Sequence, residues 1–269
     1  MIDKLMLISG NPITICDGLT ILQPTLGEIR DYGEESFYNT FWTMCSSPWD
    51  MPSVLDDAGI NFMKISEWEL FQSLVIGLRP EQTKLIFGDL DFTKFKLMKR
   101  TQPDGVTDIV LCDGELIIDE KIYKNFIQYI RAMIGFEHSG KKAGNETTRK
   151  LLIEDDRKKR ARNARQKKEY ESVLFNGIIS LVNTEEFKYN YHTIWDITLF
   201  QFTKSLVQIQ GKKAACALLQ GSMSGFCDTS KIPQIDFQWV YSEDKYSKRQ
   251  GKKLFKGDSK AIQKAGASK

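Results

Sequence analysis

Short apolar segments separated by turn residues open the chain. Leu5–Ser9 and Ile13–Ile15 are apolar and partly β-branched, and Gly10-Asn11-Pro12 separates them. Asp17-Gly18 is a dipeptide typical of two-residue hairpin turns, and the apolar segment Leu19–Leu22 follows it. The pattern therefore predicts a small β element at the N-terminus.

Two capping boxes mark predicted helix starts in the next part of the chain. In each box a Ser or Thr side chain can accept from an early helix amide, while a Glu three residues later reaches back. Thr25–Glu28 opens a helix predicted over Leu26–Cys45, in which Gly33 is unfavourable. Ser66–Glu69 opens a second helix, predicted over Glu67–Leu78.

Alternating apolar positions then predict strands followed by an amphipathic helix. Phe95–Lys99 and Asp108–Cys112 are the first two predicted strands, and Leu116–Ile118 is the third. Asp119 can cap the next helix, because its side chain can accept from the first free amides. That helix is predicted over Glu120–Ile134.

The second half of the chain has the composition of helices. Thr147–Val182 contains one interior Gly and no Pro, which favours helix throughout. Between Glu154 and Glu171 the only non-polar residues are Ala161, Ala164 and Tyr170. A helix there has no buried face for more than three turns, so we expect it to bridge two packed ends through solvent.

A further apolar pattern lies near residue 200, where every third or fourth residue is apolar over two heptads. The residues are Trp195, Leu199, Phe202, Leu206 and Ile209. Two heptads are too few to indicate a coiled coil, and they favour a stripe that faces the core. Binding of a partner helix is the other interpretation, and we keep these five residues as candidate partner contacts.

The elements together predict an α+β fold that is mainly α, in which a small N-terminal β element precedes the helices. We expect an N-terminal α+β domain over residues 1–136 and a glycine-containing hinge over 137–146. A C-terminal domain of long helices is predicted over 147–244. The basic residues 245–269 have little to bury and are predicted to be a disordered tail.

Charge is distributed unevenly along the 269 residues, although the formal net charge is only +3. Residues 1–146 carry a net charge of −8, and residues 147–168 carry +7. Residues 169–244 carry −4, and residues 245–269 carry +8. Such segregation indicates interaction with a polyanion or with an acidic partner.

The first basic segment supplies a set of candidate binding cations on a predicted helix. They are Arg157, Lys158, Arg160, Arg162 and Arg165. They could dock on an acidic protein, or they could bind the phosphates of a nucleic acid. Because no aromatic residues that would stack on bases lie among them, we favour the protein partner. Nucleic-acid binding through 149–168 and 245–269 is the alternative.

The sequence contains no recognisable catalytic or metal-binding motif. No two of the five cysteines have Cys-x-x-Cys spacing, and with only two histidines no zinc signature can be written. Phosphate-binding and dinucleotide-binding loops and the Gly-x-Ser-x-Gly motif are absent. No apolar run reaches the ~18 residues of a membrane-spanning helix. We therefore expect no membrane partner and find no motif that indicates an enzyme, although an active site without a linear motif is a further possibility.

Several segments carry a resemblance to a known group of proteins. They are ILQPTLGEI (21–29), RKLLIEDDRKKRARN (149–163), LFNGIISLVNTEEFKYNYHTIWDITLFQF (174–202) and LLQGSMSGFCD (218–228), with Phe237-Gln-Trp239 after them. Their order resembles tail-morphogenesis proteins of tailed phages of Gram-positive bacteria, the group called tail assembly chaperones.

The resemblance implies a non-enzymatic protein that binds the tape-measure protein, tail-tube subunits or both before the tail tube polymerises. It implies no cofactor and no catalytic residues, and it implies action in the cytoplasm of the infected bacterial host. A structural component of the tail or baseplate is the alternative phage role. Self-association, and presence in the virion, are left open by the sequence.

Overall fold

The structure is a computed structural model in which residues 2–101, 105, 107–136, 144–166, 170–184 and 189–223 are described. Helices dominate these residues, and two small antiparallel sheets accompany them, so the predicted α+β, mainly α class is confirmed. The helices are α1 Lys4–Ser9, α2 Leu26–Tyr32, α3 Glu34–Cys45, α4 Pro52–Asp57, α5 Glu67–Val75, α6 Pro80–Phe87, α7 Glu120–Ile134, α8 Glu146–Gln166, α9 Val173–Val182 and α10 Leu199–Met223. The strands are β1 Ile13–Cys16, β2 Leu19–Ile21, β3 Lys96–Thr101, β4 Thr107–Cys112 and β5 Ile117–Ile118.

The first apolar segment forms a helix, so the strand predicted there is wrong. Asp3 accepts a hydrogen bond from the amide of Leu5 at 2.9 Å and thereby caps the N-terminus of α1. Gly10 ends the helix with a φ of 76°, a left-handed conformation that glycine adopts at little cost. Capping at both ends stabilises a short helix that buries only one of its side chains, that of Leu7.

The predicted N-terminal β element is confirmed one segment later. Strands β1 and β2 pair antiparallel across a turn in which Gly18 has a φ of 79°. Ile13 lies opposite Ile21 in this pair, and both side chains are buried. The amide of Leu22 then donates to the carbonyl of Ile86 at 2.7 Å, which joins the hairpin to α6.

The helix predicted over Leu26–Cys45 is divided into α2 and α3. The capping box is present as predicted, since the Thr25 hydroxyl accepts from the Glu28 amide and the Glu28 carboxylate accepts from the Thr25 amide. Gly33 has a φ of 102° and a ψ of 110°, well outside the helical region, and it ends α2. The second capping box, at Ser66, opens α5 as predicted.

Aromatic rings from α5, α6 and α7 form the centre of the core. Phe71 lies 4.8 Å from Tyr123 and 5.5 Å from Phe126 between ring centroids. Phe87 lies 5.0 Å from Phe92, with the ring planes nearly perpendicular. Tilted and edge-to-face contacts of this kind are the favoured geometry for aromatic pairs.

The three predicted strands form an antiparallel sheet in the order β3-β4-β5. Leu111 lies opposite Ile118 in this sheet, and both side chains are buried. The carbonyl of Ile109 accepts from the Trp68 indole nitrogen at 3.1 Å and from the Gln72 amide nitrogen at 3.0 Å. These two bonds join the middle strand to α5.

Helix α7 begins at the predicted cap. The Asp119 carboxylate accepts from the Ile122 amide at 2.9 Å and from the Arg100 guanidinium at 3.0 Å. Burial alone would raise the pKa of Asp119, but these two donors outweigh it and lower that pKa below its ordinary value. Arg100 also binds Asp108 on the neighbouring strand at 2.7 Å, so one guanidinium joins β3, β4 and α7.

The helix predicted through Thr147–Val182 is broken. Helix α8 ends at Gln166, residues 170–172 are not helical, and α9 begins at Val173. The hydroxyl of Ser172 accepts from the amide of Phe175 at 3.0 Å, which starts the new helix. The prediction that one helix bridges two packed ends is therefore wrong.

Contacts divide the chain into two compact units, Met1–Thr203 and Lys204–Lys269. The second unit is described only at 204–223, within α10. The predicted hinge at 137–146 lies mostly outside the described residues and the basic tail at 245–269 lies wholly outside them, so both boundaries stay predictions. Across the described ranges, none of the helices has the length and apolar character needed to cross a membrane.

Candidate interaction surfaces

The N-terminal half of α8 packs against α4, in agreement with the prediction that this end of the helix is packed. Ile153 is buried among Leu55, Phe62 and Leu70, and Leu152 packs against the same cluster. One buried isoleucine is enough to give α8 a contact face, because its neighbours come from α4, α5 and the segment between them. The sequence did not predict that Asp156 and Arg157, within the stretch expected to be solvated, also contact α4.

Ion pairs extend this contact on both sides of Ile153. Arg149 lies 3.3 Å from Asp56, and Arg157 lies 2.9 Å from the other oxygen of the same carboxylate. Arg157 also donates to Asp57, and this hydrogen bond raises the pKa of the Arg157 guanidinium above its ordinary value. Two cations of α8 therefore form ion pairs with the acidic end of α4.

Asp156 completes the contact from the opposite direction. Its carboxylate accepts from the amide of Ser53 at 3.1 Å and from the hydroxyl of the same residue. Ser53 lies in the first turn of α4, so α8 supplies the acceptor that this helix start needs. The contact between α4 and α8 thus combines apolar burial, ion pairs and a cap.

The predicted binding cations all lie on the second half of α8, and all are exposed. They are Arg157, Lys158, Arg160, Arg162 and Arg165. Arg157 binds α4, whereas Lys158 and Arg160 each lie 3.9 Å from a carboxylate one turn earlier in the helix. Arg162 and Arg165 have no carboxylate within 4.0 Å among the described residues, so their charges face solvent.

The predicted apolar stripe near residue 200 is split between core and surface. Trp195 is half-buried in a single turn of 3-10 helix, and the Arg30 guanidinium lies 4.7 Å from its ring centroid. Leu199 and Phe202 are buried, so their side chains are part of the core and are not open to a partner. Leu206 and Ile209, in the second unit, are half-buried.

Helix α9 carries two apolar stripes. Leu174, Ile178 and Leu181 are buried, and they lie one turn apart on one face. The helix start is held by Glu34, whose carboxylate accepts from the amides of Val173 and Leu174 at 2.7 Å and 3.0 Å. One face of α9 is therefore fixed to the N-terminal part of the chain.

The second stripe of α9 is exposed. Phe175, Ile179 and Val182 are spaced i, i+4, i+7; Phe175 is 61% and Ile179 39% exposed, and Val182 is half-buried. Val173 and Tyr191, 65% and 52% exposed, add apolar surface nearby in the sequence. The helix has no charged residue in its ten positions. An exposed apolar stripe of this kind is typical of a protein–protein contact.

A cleft of about 280 Å³ lies between α5 and α7, and its charged side chains are already paired with one another. Arg131, on its wall, binds Glu67 at 2.9 Å and donates to the carbonyl of Cys45 at 2.9 Å. Burial raises the pKa of the Cys45 thiol to about 12, so this cysteine stays protonated and is a poor nucleophile. No group of three His, Cys, Asp or Glu side chains able to hold a metal occurs in the described part of the chain.

Comparison with known proteins gives one partial match. Residues 165–241 match the family model described as YomV second domain, a phage-associated family name that suggests a phage protein. The match includes α9 and all five residues of the predicted apolar stripe, whereas α8 lies outside it except for its last two residues. No curated protein matches the chain, and no solved structure matches it.

The exposed stripe of α9 and the acidic end of α4 were not among the predicted site residues. A signal for α9 is present in the sequence, since Val173–Val182 is apolar on nearly all sides. Such a helix either lies wholly in a core or leaves one face for a partner. The pairing of Asp56 and Asp57 with α8 has no local signal, because about ninety residues or more separate the partners.

Proposed function

We propose that the chain is a non-enzymatic phage tail assembly protein of chaperone type. It binds the tape-measure protein, tail-tube subunits or both during tail morphogenesis, in the cytoplasm of the infected host. Two facts support the proposal, namely the resemblance of several segments to tail assembly chaperones and the phage-associated name of the family matched at residues 165–241. A structural tail or baseplate protein would differ in remaining in the finished particle.

The observation that carries the proposal is the exposed stripe of α9. An apolar helix face with Phe175 at its centre suits a helical client, which would cover it with its own apolar positions at helical spacing. Because α9 is uncharged, the contact would depend on apolar burial and would tolerate high salt. Another face of α9 is held by the hydrogen bonds to Glu34 and by the buried side chains of Leu174, Ile178 and Leu181.

Co-expression tests the proposal. The full chain is produced with the tape-measure and tail-tube proteins of the same phage genome, and complexes are isolated through a tag on the chain. Phe175→Glu with Ile179→Glu places two charges on the exposed apolar stripe. Asn176→Glu with Ser180→Glu is the matched control, because these exposed residues lie on the polar side of the same helix.

We expect the unchanged chain and the control to bring down a tail protein, and the stripe variant to lose most of it. If both variants lose the tail protein, any added charge disturbs α9. If the unchanged chain brings down neither tail protein, the proposal is rejected. Thermal melting of each variant shows whether the fold survives, since all four side chains are exposed.

A further inference from the structure

We propose that the outer face of α8 binds an acidic helix of a partner protein. The contact uses Leu151 as an apolar anchor, and Lys158, Arg162 and Arg165 as partners for carboxylates. The inference rests on the proposed function in taking the partner to be a protein, but it concerns a surface separate from α9.

Helical spacing brings these residues onto one face. Lys158, Arg162 and Arg165 are spaced i, i+4, i+7, and Leu151 precedes Lys158 by seven residues, which is close to two turns. At about 1.5 Å per residue the three cations extend over roughly 10 Å of helix. A partner helix with carboxylates at the same spacing would meet all three.

The same face points away from α4. Arg149, Ile153 and Asp156, which make the contact with α4, are on the opposite side of the helix by the same counting at about 100° per residue. Leu151 is 61% exposed although it is a leucine next to a buried cluster. The fold therefore holds α8 by one face and leaves the other open along its length.

Two cations on other faces of the second half of α8 have close carboxylate partners. Arg157 binds Asp56 and Asp57, and Lys159 lies 3.0 Å from Asp155. Arg160 lies 3.9 Å from Asp156. Lys158 likewise has only a long contact of 3.9 Å, with its side chain 80% exposed. Arg162 and Arg165 have no carboxylate partner among the described residues, so charge remains available on this face.

This arrangement favours an acidic helix over a nucleic acid. A nucleic-acid groove surrounds a helix and would use cations on several faces, whereas here Arg157 is paired with Asp56 of α4 and Lys159 with Asp155 of α8 itself. Contact with an apolar side chain of a partner would remove the exposed Leu151 from water, whereas a sugar–phosphate backbone would offer it little apolar surface. Charge complementarity on one face, with an apolar residue in line, is the usual composition of a helix–helix contact.

Fluorescence anisotropy of labelled probes with the full-length protein tests the inference. The first probe is a synthetic alanine-based helix with a leucine followed by glutamates at the matching spacing, and the second has glutamine in place of each glutamate. Duplex DNA is the third probe. Arg162→Gln with Arg165→Gln is the test variant, and Lys159→Gln with Arg160→Gln is the control with the same change of charge on the same helix.

We expect the protein to prefer the glutamate helix to both other probes, with weaker binding at high salt. The test variant should lose affinity for it by roughly fivefold to tenfold, and the control by about twofold or less. Leu151→Ala should also weaken binding of the glutamate helix while leaving DNA binding unchanged.

Three results would overturn the inference. They are equal losses in the test and control variants, tighter binding of duplex DNA than of the glutamate helix, and no binding of the glutamate helix at low salt. None of these affects the capture of tail proteins through α9, which has its own variants. Failure of this inference and failure of the proposed function are therefore distinguishable.

Discussion

Helices α7 and α8 follow one another in the chain, with 15 and 21 residues, and they are held in place by different forces. Helix α7 buries five side chains, whereas Ile153 is the one fully buried side chain among those described in α8. Helix α7 also begins at a capping aspartate, and α8 instead supplies an aspartate that caps its neighbour α4.

The difference shows how a helix can be positioned without an amphipathic pattern. Burial of an apolar stripe fixes α7, so the free energy that holds this helix in place is spread over many side-chain contacts. In α8 a single isoleucine and a few ion pairs hold the helix as far as Arg157, and the described residues beyond it are exposed. A helix fixed at one end in this way is suited to present its free surface to a partner.

Phe126→Ala in α7 should produce the largest effect. The ring is fully buried and contacts Phe71, Phe87 and Tyr123, so its removal leaves a cavity that the neighbouring rings cannot fill. We expect the free energy of unfolding to fall by about 3–5 kcal/mol. Urea denaturation followed by circular dichroism measures it, and a loss under ~1 kcal/mol would show that α7 is not the centre of the core.

Ile153→Ala should be the most costly substitution in α8. Its side chain is 4% exposed and packs among Leu55, Phe62 and Leu70. We expect a loss of about 2–4 kcal/mol in the same denaturation experiment. Leu151→Ala is the matched control two residues away on the exposed side, and an equal loss in both variants would remove the distinction between the two faces.

Asp119→Ala should cost about 1–2 kcal/mol at neutral pH, because it removes the cap of α7 and a partner of Arg100. The pKa of this carboxyl is lowered by folding, so its stabilisation is present above the unfolded pKa and is lost as pH falls through the folded pKa. The difference in stability between wild type and variant should therefore shrink below about pH 4. A constant difference from pH 7 to pH 2 would be inconsistent with an ionised cap.

Asp56→Asn should have the smallest effect. It weakens the pairs with Arg149 and Arg157, which lie near the surface and are screened by solvent. We expect the melting temperature to fall by about 1–2 °C at low salt and by less at high salt. Calorimetry at two salt concentrations measures this, and a salt-independent loss would indicate that packing rather than charge was disturbed.

The parts of the fold that were predicted correctly depend on local chemistry. In each case the residues that determine the element lie within a few positions of it. The examples are Asp119 with the periodic apolar residues of α7, the capping boxes at Thr25 and Ser66, and the turn at Gly18. Local signals also explain the error at α1. There the caps at both ends outweighed the β-branched composition that suggested a strand.

The candidate surfaces depend on contacts between distant residues, and prediction was less successful there. Leu199 and Phe202 are buried, as the favoured core-facing interpretation of their spacing predicted, and this burial excludes them as partner contacts. Phe175 and Ile179 lie in an apolar run whose exposed side depends on how Glu34 and the buried leucines orient the helix. The exposure of Arg162 and Arg165 was predicted, because no apolar residues in that stretch could bury them.

Site-specific photo-cross-linking tests the central claim, that the exposed stripe of α9 contacts a tail protein. A photoreactive amino acid replaces Phe175 in one variant and Asn176, on the polar side of the helix, in another. Each variant is irradiated in cells that also produce the tape-measure and tail-tube proteins, and cross-linked products are identified by mass spectrometry. We expect a product with one of these proteins from position 175 and little or none from position 176. Equal products from both positions, or none from position 175, would contradict it.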